Sequence, residues 1–350
     1  MKRTFKTIIS ILLVSMLFVS CNADMKDMGI FNTIKHSKPS TNYKLIKVAG
    51  AFPADNLFII ETEDGIQTIA PDSETRNTLV SGLHASMKFV NENKIYYTVK
   101  VEGESDTQLR RADINADKTA TENPAAIKVY IEDGKEIAAI ENSFYENGKY
   151  ILKARDVDGV YHFISDVTPV AESADSYTFS KASSHEVKDT KTAPVYIGSN
   201  HYYVYNSDLK EYNIYDFAGT KLVIDETTKF TKTPLALENN YLFLSDGTIY
   251  KVDGSKATDT KIKHTITYLQ TNQDIPMTTH DGKIYGVFGA KPFVFDGTEF
   301  KEHGYIGEVS VIDLIRMNDR FYAISANSGI FVSDDGITYK DAKLKDAKSF

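Results

Sequence analysis

The chain has 350 residues, 42% of them hydrophobic, with nine prolines and a formal net charge of −8. That length accommodates two ordinary domains or one large all-β domain, and the composition excludes a mostly disordered chain. The single cysteine excludes an internal disulfide and any cysteine-based zinc or iron–sulfur site.

At the N-terminus, Lys2, Arg3 and Lys6 precede an apolar run from Ile8 to Val19 that only two serines interrupt. Its 12 residues fall short of a bilayer-spanning helix, which needs about 20. They fit the apolar region of a secretory signal peptide. The run ends in Phe18-Val19-Ser20-Cys21. This tetrapeptide resembles a bacterial lipobox, with Phe18 and Val19 bulkier than usual, as in the looser boxes of spirochaetal lipoproteins. The resemblance implies cleavage between Ser20 and Cys21, a diacylglyceryl group on the Cys21 thiol and acylation of the new amine. Two or three acyl chains anchor a protein stably, whereas one is marginal.

The predicted organisation is a signal peptide over residues 1–20, a tether over 21–42 and a folded region over 43–350. Removing the signal takes away three positive charges and no negative one. That leaves 37 basic against 48 acidic side chains, a charge of −11. Such a chain lacks the clustered Lys/Arg surface that nucleic-acid binding needs, so no nucleic acid is expected as a partner. Residues 22–42 show little apolar periodicity and read as a flexible linker.

From residue 43 onward, short runs rich in Val, Ile, Tyr, Phe and Thr alternate with turn residues, as at Leu57–Thr62, Lys94–Val99, Tyr150–Ala154, Tyr202–Tyr205 and Phe321–Ser325. No long amphipathic helix follows the signal. Asp-Gly occurs at eight places and Asn-Gly at 147–148, so nine of the 20 glycines sit in dipeptides suited to type I′ hairpin turns. Hairpin after hairpin predicts antiparallel sheet.

One element recurs: a polar turn residue, a basic or polar residue, then apolar or aromatic ones. Its first core positions are Leu57, Ile95, Tyr150, Tyr202, Leu242, Ile284 and Phe321, on average 44 residues apart. Each is flanked by further strand-like runs, giving four strands per unit. Four antiparallel strands in 40–50 residues match the blade period of a β-propeller. The expected fold is therefore all-β, a single propeller of about seven four-stranded blades. Six or eight blades, or tandem β-sandwiches, are the alternatives. The first and last units each contain four strands of their own, which predicts a ring closed by packing without a swapped strand.

Ser333-Asp334-Asp335-Gly336-Ile337-Thr338-Tyr339 resembles the Asp box of sialidase-like bacterial propellers, with Tyr339 where Trp is usual. The resemblance implies a structural turn: Ser333 and Asp335 cap backbone amides, Gly336 takes positive φ and Tyr339 packs between strands. Asp296-Gly297-Thr298-Glu299-Phe300 is a weaker relative. Two polar stretches, Glu102–Pro124 and Val170–Ala193, lengthen the second and third units. They read as rim insertions, where loops carry binding, and the second as removable without loss of the fold.

No residues are assigned as catalytic or metal-binding, and no cofactor is expected. The six mature arginines read as solvated surface groups, and the eight histidines as surface or strand-face groups. The tyrosines at 196, 202, 203, 205, 212 and 215 read as strand packing. Asp156-Val157-Asp158-Gly159 reads as a hairpin turn and not a calcium loop.

The functional expectation is a lipid-anchored cell-envelope propeller acting as a non-catalytic binding or scaffold protein. Its partners are the bilayer, through acylated Cys21, and a protein or glycan. An outer-membrane or cell-surface location is favoured over a periplasmic-facing one. The alternative is a glycan hydrolase or lyase using carboxylates in the central channel.

Overall fold

The computed structural model describes residues 44–343, apart from 83–84, 101–106, 133, 147, 172, 174, 189–191, 225–228, 267–274 and 308. The signal, Ser20, Cys21 and the whole of the tether lie outside the described residues. Among those described, no helix is long and apolar enough to cross a membrane.

Seven sheets follow one another along the chain. Blade 1 is β1 (Leu45–Phe52), β2 (Leu57–Thr62), β3 (Gly65–Ile69) and β4 (Arg76–Ser81). Blade 2 is β5 (Ser86–Asn91), β6 (Lys94–Lys100), β7 (Thr107–Ile114) and β8 (Thr121–Ala126). Blade 3 is larger, with β9 (Lys128–Ile131), β10 (Lys135–Glu146), β11 (Lys149–Asp156), β12 (Tyr161–Ile164), β13 (Val170–Ala171), β14 (Ser176–Phe179) and β15 (Ser184–Glu186). Blade 4 has β16 (Val195–Gly198), β17 (His201–Asn206) and β18 (Glu211–Asp216), its outer edge covered by isolated bridges from Lys221 and Phe230.

Blade 5 is β19 (Pro234–Glu238), β20 (Tyr241–Leu244), β21 (Thr248–Asp253) and β22 (Lys256–Lys263). Blade 6 is β23 (Met277–His280), β24 (Lys283–Phe288), β25 (Lys291–Phe295) and β26 (Phe300–Glu302). Blade 7 is β27 (Val311–Met317), β28 (Arg320–Ser325), β29 (Gly329–Ser333) and β30 (Lys340–Asp341). Every repeated core position predicted from the sequence falls on the second strand of its blade, counting blade 3 from its channel-side strand β10. The protein is a seven-bladed β-propeller.

The core is divided among the seams between blades. Each strand alternates side chains to two faces, so a blade buries one face against each neighbour. The closing seam is typical: Leu45, Val48, Phe58, Ile60 and Ile69 of blade 1 pack against Met317, Tyr322, Ile324, Ile330 and Val332 of blade 7. Blades 1 and 7 each keep four strands of their own, so packing closes the ring. Polar contacts reinforce the closure. The Ile330 amide donates to Glu74 Oε1 at 3.1 Å, and Asn318 Nδ2 donates to the Pro53 carbonyl at 3.0 Å.

First strands surround the central channel, and in six of the seven blades their pairing with the second strand carries a register shift. A bulge sharpens strand twist and re-aims one side chain. In β5 the extra residue is Lys88.

Two expectations need correction. First, among the described Asp-Gly pairs only Asp281-Gly282 has positive φ at both residues. The other doubly positive turns are Ser199-Asn200, Asn239-Asn240 and Asn318-Asp319, all joining first to second strands. Elsewhere the Asp side chain often captures the amides that follow it, as at Asp246, Asp296 and Asp335. The Asp then stays right-handed and the Gly alone turns. Second, the described residues of both polar stretches are largely strand and not rim loop; 102–106 lie outside the described residues. Residues 107–126 form the outer strands β7 and β8. The stretch Val170–Ala193 supplies β13, β14 and β15, and β14 pairs in parallel with β9. Tyr177 and Phe179 are buried in the seam between blades 2 and 3. Polar composition hid this because alternate residues of an edge strand face water.

Candidate ligand-binding mouth of the central channel

Antiparallel blades give the ring two distinct faces. The chain enters β1 on the face that also carries the second-to-third-strand turns and the connections between blades. The opposite face carries the first-to-second-strand turns. On that face the channel widens into a cavity of about 340 Å³. Its wall includes Pro53, Tyr145, Glu146, Glu238, Thr279 and Arg316, from five of the seven blades.

The carboxylates of this mouth also hold the ring together. Glu146, at the end of β10, accepts hydrogen bonds from the Tyr196 hydroxyl and, at 3.1 Å, from the Ser199 amide, both in blade 4. Glu238, at the end of β19, accepts from the Thr279 hydroxyl of blade 6. Deeper in the wall, Glu61 of blade 1 accepts from the Met87 amide of blade 2 at 2.7 Å. Each glutamate therefore bridges a blade and its successor at the channel.

Burial raises the Glu238 carboxyl above the ordinary range; the Thr279 hydrogen bond opposes this and the Glu146 charge adds to it. Burial also raises the Tyr196 hydroxyl, with the Glu146 charge and hydrogen bond acting the same way. Arg316 gives the mouth a cation. Its Nη2 lies 2.7 Å from Asp319 Oδ1, while its buried Nε has no hydrogen-bond partner. It is half-buried, so reading every arginine as a solvated surface group fails here. Arg111 is another exception, donating to the Tyr177 hydroxyl at 2.6 Å.

A basic pair lies in the wall where blades 1, 2 and 3 meet. Lys47 Nζ is 3.3 Å from Glu61 Oε1 and 3.5 Å from the Ser143 carbonyl. Lys88 is buried and donates to Ser86 Oγ at 3.2 Å. Burial lowers the Lys88 ammonium to about 8, with the Lys47 charge adding to the effect and Glu61 opposing it.

Of the residues singled out from the sequence, Ser333, Asp335, Gly336 and Tyr339 lie on the turn between β29 and β30. That turn is on the same face as the mouth, at the ring's periphery. Asp335 Oδ1 accepts from the Ile337 and Thr338 amides at 2.8 and 2.7 Å, and Ser333 Oγ accepts from the Gly336 amide at 2.9 Å. A Cβ on Gly336 would approach the Tyr285 ring to 2.5 Å. Tyr339 packs on the cluster between blades 6 and 7. The same capture of two amides recurs at Asp296, whose carboxyl is lowered to about 2 by hydrogen bonds from Thr298 and from the Glu299 amide.

One buried constellation has the residue types of a hydrolytic triad. His162 Nε2 is 3.0 Å from Asp156 Oδ2, and His162 Nδ1 is 3.4 Å from Ser184 Oγ. His162 and Asp156 are almost fully buried, and the three side chains belong to adjacent strands of blade 3. Asp156 also accepts the Asp158 and Val160 amides at the predicted hairpin turn. Burial opposes its ionisation, but these hydrogen bonds, led by that from His162, prevail and lower the carboxyl. The group acts as a lock on β11, β12 and β15.

Sequence reasoning missed Glu146 and Glu238, yet a signal existed. Each directly precedes the turn that opens the recurring element: Glu146-Asn147-Gly148 and Glu238-Asn239-Asn240. A carboxylate there ends a first strand and faces the channel.

No family model matches the sequence, and no curated protein matches it. Solved structures with a similar backbone include BamB from Moraxella catarrhalis, at 13% identity over 79% of each chain with a TM-score of 0.41. YCF48 from Cyanidioschyzon merolae is 8% identical, covering 85% of this chain and 98% of that one, with a TM-score of 0.45. Kluyveromyces lactis Hsv2 is 10% identical, covering 87% and 97%, also at 0.45. At such identities and scores these neighbours carry no argument about activity.

Proposed function

We propose that this chain is a lipid-anchored propeller of the bacterial cell envelope, held through acylated Cys21 and acting as a binding or scaffold protein. Its partner, a protein or glycan, docks at the mouth of the central channel. The observation that carries this reading is the cavity of about 340 Å³ on the face opposite the chain's entry, whose glutamates are committed to hydrogen bonds between blades. A tether leaving one face and a polar concavity on the other suit a protein that displays a site away from its membrane.

Palmitate labelling and globomycin-sensitive processing test the anchor: both are expected in the wild type and absent in Cys21→Ser. Crosslinked pull-down from intact cells tests the mouth. Arg316→Ala together with Thr279→Val is expected to lose the partner while keeping the folded near-ultraviolet circular dichroism of the wild type, melting somewhat lower because Glu238 loses its donor. Retention of every partner by that double variant overturns the docking site.

A second reading, a glycan hydrolase or lyase, is favoured by one observation: the raised carboxyl of Glu238 beside Glu146. It requires Glu238 to act as the general acid. Glycan turnover abolished in Glu238→Gln would establish it, and equal turnover in both proteins would remove it.

A further inference from the structure

We propose that the face on which the chain enters the ring seats on the lipid bilayer, so that the propeller lies on the membrane with its mouth turned outward. This rests on the reading of Cys21 as the lipid anchor.

The argument starts from where large apolar side chains are exposed. Among the described residues there are six: Ile46, Val157, Val170, Val195, Leu209 and Tyr305, at 40 to 69% exposure. Single exposed apolar residues are ordinary on a soluble surface. Their distribution is not. Val157 and Leu209 sit on the second-to-third-strand turns of blades 3 and 4. Ile46 and Val195 begin first strands, at the rim of the channel. Tyr305 lies on the connection from blade 6 to blade 7. Antiparallel topology puts all five on the entry face; the sixth, Val170, belongs to the inserted strand β13.

Lysines accompany four of the five. Lys44 lies two residues before Ile46, and Lys210 follows Leu209. Lys291 Nζ is 5.1 Å from the centre of the Tyr305 ring. Lys135, across from Val157, is 3.9 Å from Asp156 Oδ2. Apolar tips flanked by lysines suit the boundary between headgroups and acyl chains, where the stem of a lysine lies along apolar surface and its ammonium stays wet. Acidic residues lie on the entry face too, at Asp64, Asp158 and Asp208; what the opposite face lacks is any of these five exposed apolar tips. Its first-to-second-strand turns present Asn56, Glu92, Asn200, Asn239, Asp281 and Asn318.

The occupant follows from where the chain leaves the ring. Leu45 starts β1 on the entry face. Cys21 is 23 residues before Lys44, a reach of at most about 80 Å. The anchor is thus attached to the same face as the apolar tips. A tether of that length permits other orientations, and the tips supply the preference among them.

The chain has no tryptophan, so single-tryptophan variants report position directly. Full-length lipidated protein would carry Leu209→Trp or Tyr305→Trp on the entry face, or Lys283→Trp on the opposite face. Each would be reconstituted into phosphatidylcholine and phosphatidylglycerol vesicles, with or without brominated acyl chains. The expected result is at least a twofold loss of fluorescence on bromination for Leu209→Trp and Tyr305→Trp, and no change for Lys283→Trp. Vesicle-bound protein in which both entry-face reporters escape quenching overturns the seating while leaving the anchor intact. Quenching of Lys283→Trp alone reverses the orientation and overturns it too. Fluorescence changes that appear equally in detergent at high protein concentration assign the face to a second copy. Failure of wild-type protein to float with vesicles refutes the anchor, and the seating with it.

Discussion

The seam between blades 2 and 3 is filled by aliphatic side chains and four aromatic rings, two of them carried by an inserted strand, whereas the seam between blades 3 and 4 is filled mainly by rings of the two blades themselves. In the first, Ile127, Val129, Ile131, Ile137, Ile140 and Leu152 surround Tyr177 and Phe179, which meet Tyr96 and Phe89 of blade 2 edge-on at 5.7 and 5.8 Å. In the second, Phe163 stacks on Phe217 at 5.1 Å and lies 5.2 Å from Tyr202, while Phe144 approaches Tyr196 at 4.6 Å. A wedge that widens away from the channel must be filled in either case. Extra strands fill it with backbone as well as side chains, and large flat rings fill it with side chains alone. The first solution depends on a distant segment returning to the seam. The second depends on Tyr196 reaching Glu146.

The strongest way to break this contrast is to remove the inserted strands. Deletion of 170–193 takes away Tyr177, Phe179 and the fourth strand of blade 3. The expected outcome is loss of the cooperative melting transition, read by near-ultraviolet circular dichroism. Next in size, Phe179→Ala should destabilise the protein by about 3–5 kcal/mol in urea titration, the usual cost of emptying a fully buried aromatic site. Tyr196→Phe, in the other seam, should cost less, about 1–3 kcal/mol, by leaving a Glu146 oxygen without its donor. Equal losses from Phe179→Ala and Tyr196→Phe would erase the distinction.

Two substitutions should stabilise. Lys88 lies where blades 1, 2 and 3 meet, its ammonium lowered to about 8 by burial and by Lys47. A lysine lowered below its unfolded value of about 10.4 costs stability throughout the range where it must carry charge. Wild-type stability should therefore rise between about pH 8 and 10. Lys88→Met should add of order 2 kcal/mol at pH 7, a gain that shrinks towards pH 10.

Glu238→Gln keeps an acceptor for Thr279 and removes a buried charge. The Glu238 carboxyl is raised in the folded state, so the wild type has its full contribution below the unfolded value of about 4.3 and loses it as pH rises through the folded one. The variant should melt higher than wild type at pH 7, by less than Lys88→Met, with the difference vanishing below about pH 4. Melting curves between pH 4 and 10 check both substitutions.

Much of the blade pattern was legible because it is written in local chemistry. The recurring element located seven second strands, since a turn residue followed by apolar ones specifies a hairpin without reference to distant segments. The Asp-Gly dipeptides marked turns correctly, and their type was misread because the Asp side chain competes for the backbone amides. The mouth was hidden for another reason. Glu146 and Tyr196 are 50 residues apart, and Glu74 and Ile330 are 256 apart. No window along the chain contains both partners.

The sequence by itself determined the all-β class, the period of about 44 residues and seven repeats, because hairpin turns and strand alternation are properties of neighbouring residues. It also carries the lipobox resemblance at Cys21. Only the tertiary structure decided which polar segments are strands, which glutamates meet the next blade and which face keeps its apolar side chains in solvent. Those choices are made by the closing of the ring. Whether a side chain is buried in a seam, faces the channel or stays exposed depends on the blade beside it and on the direction of its strand.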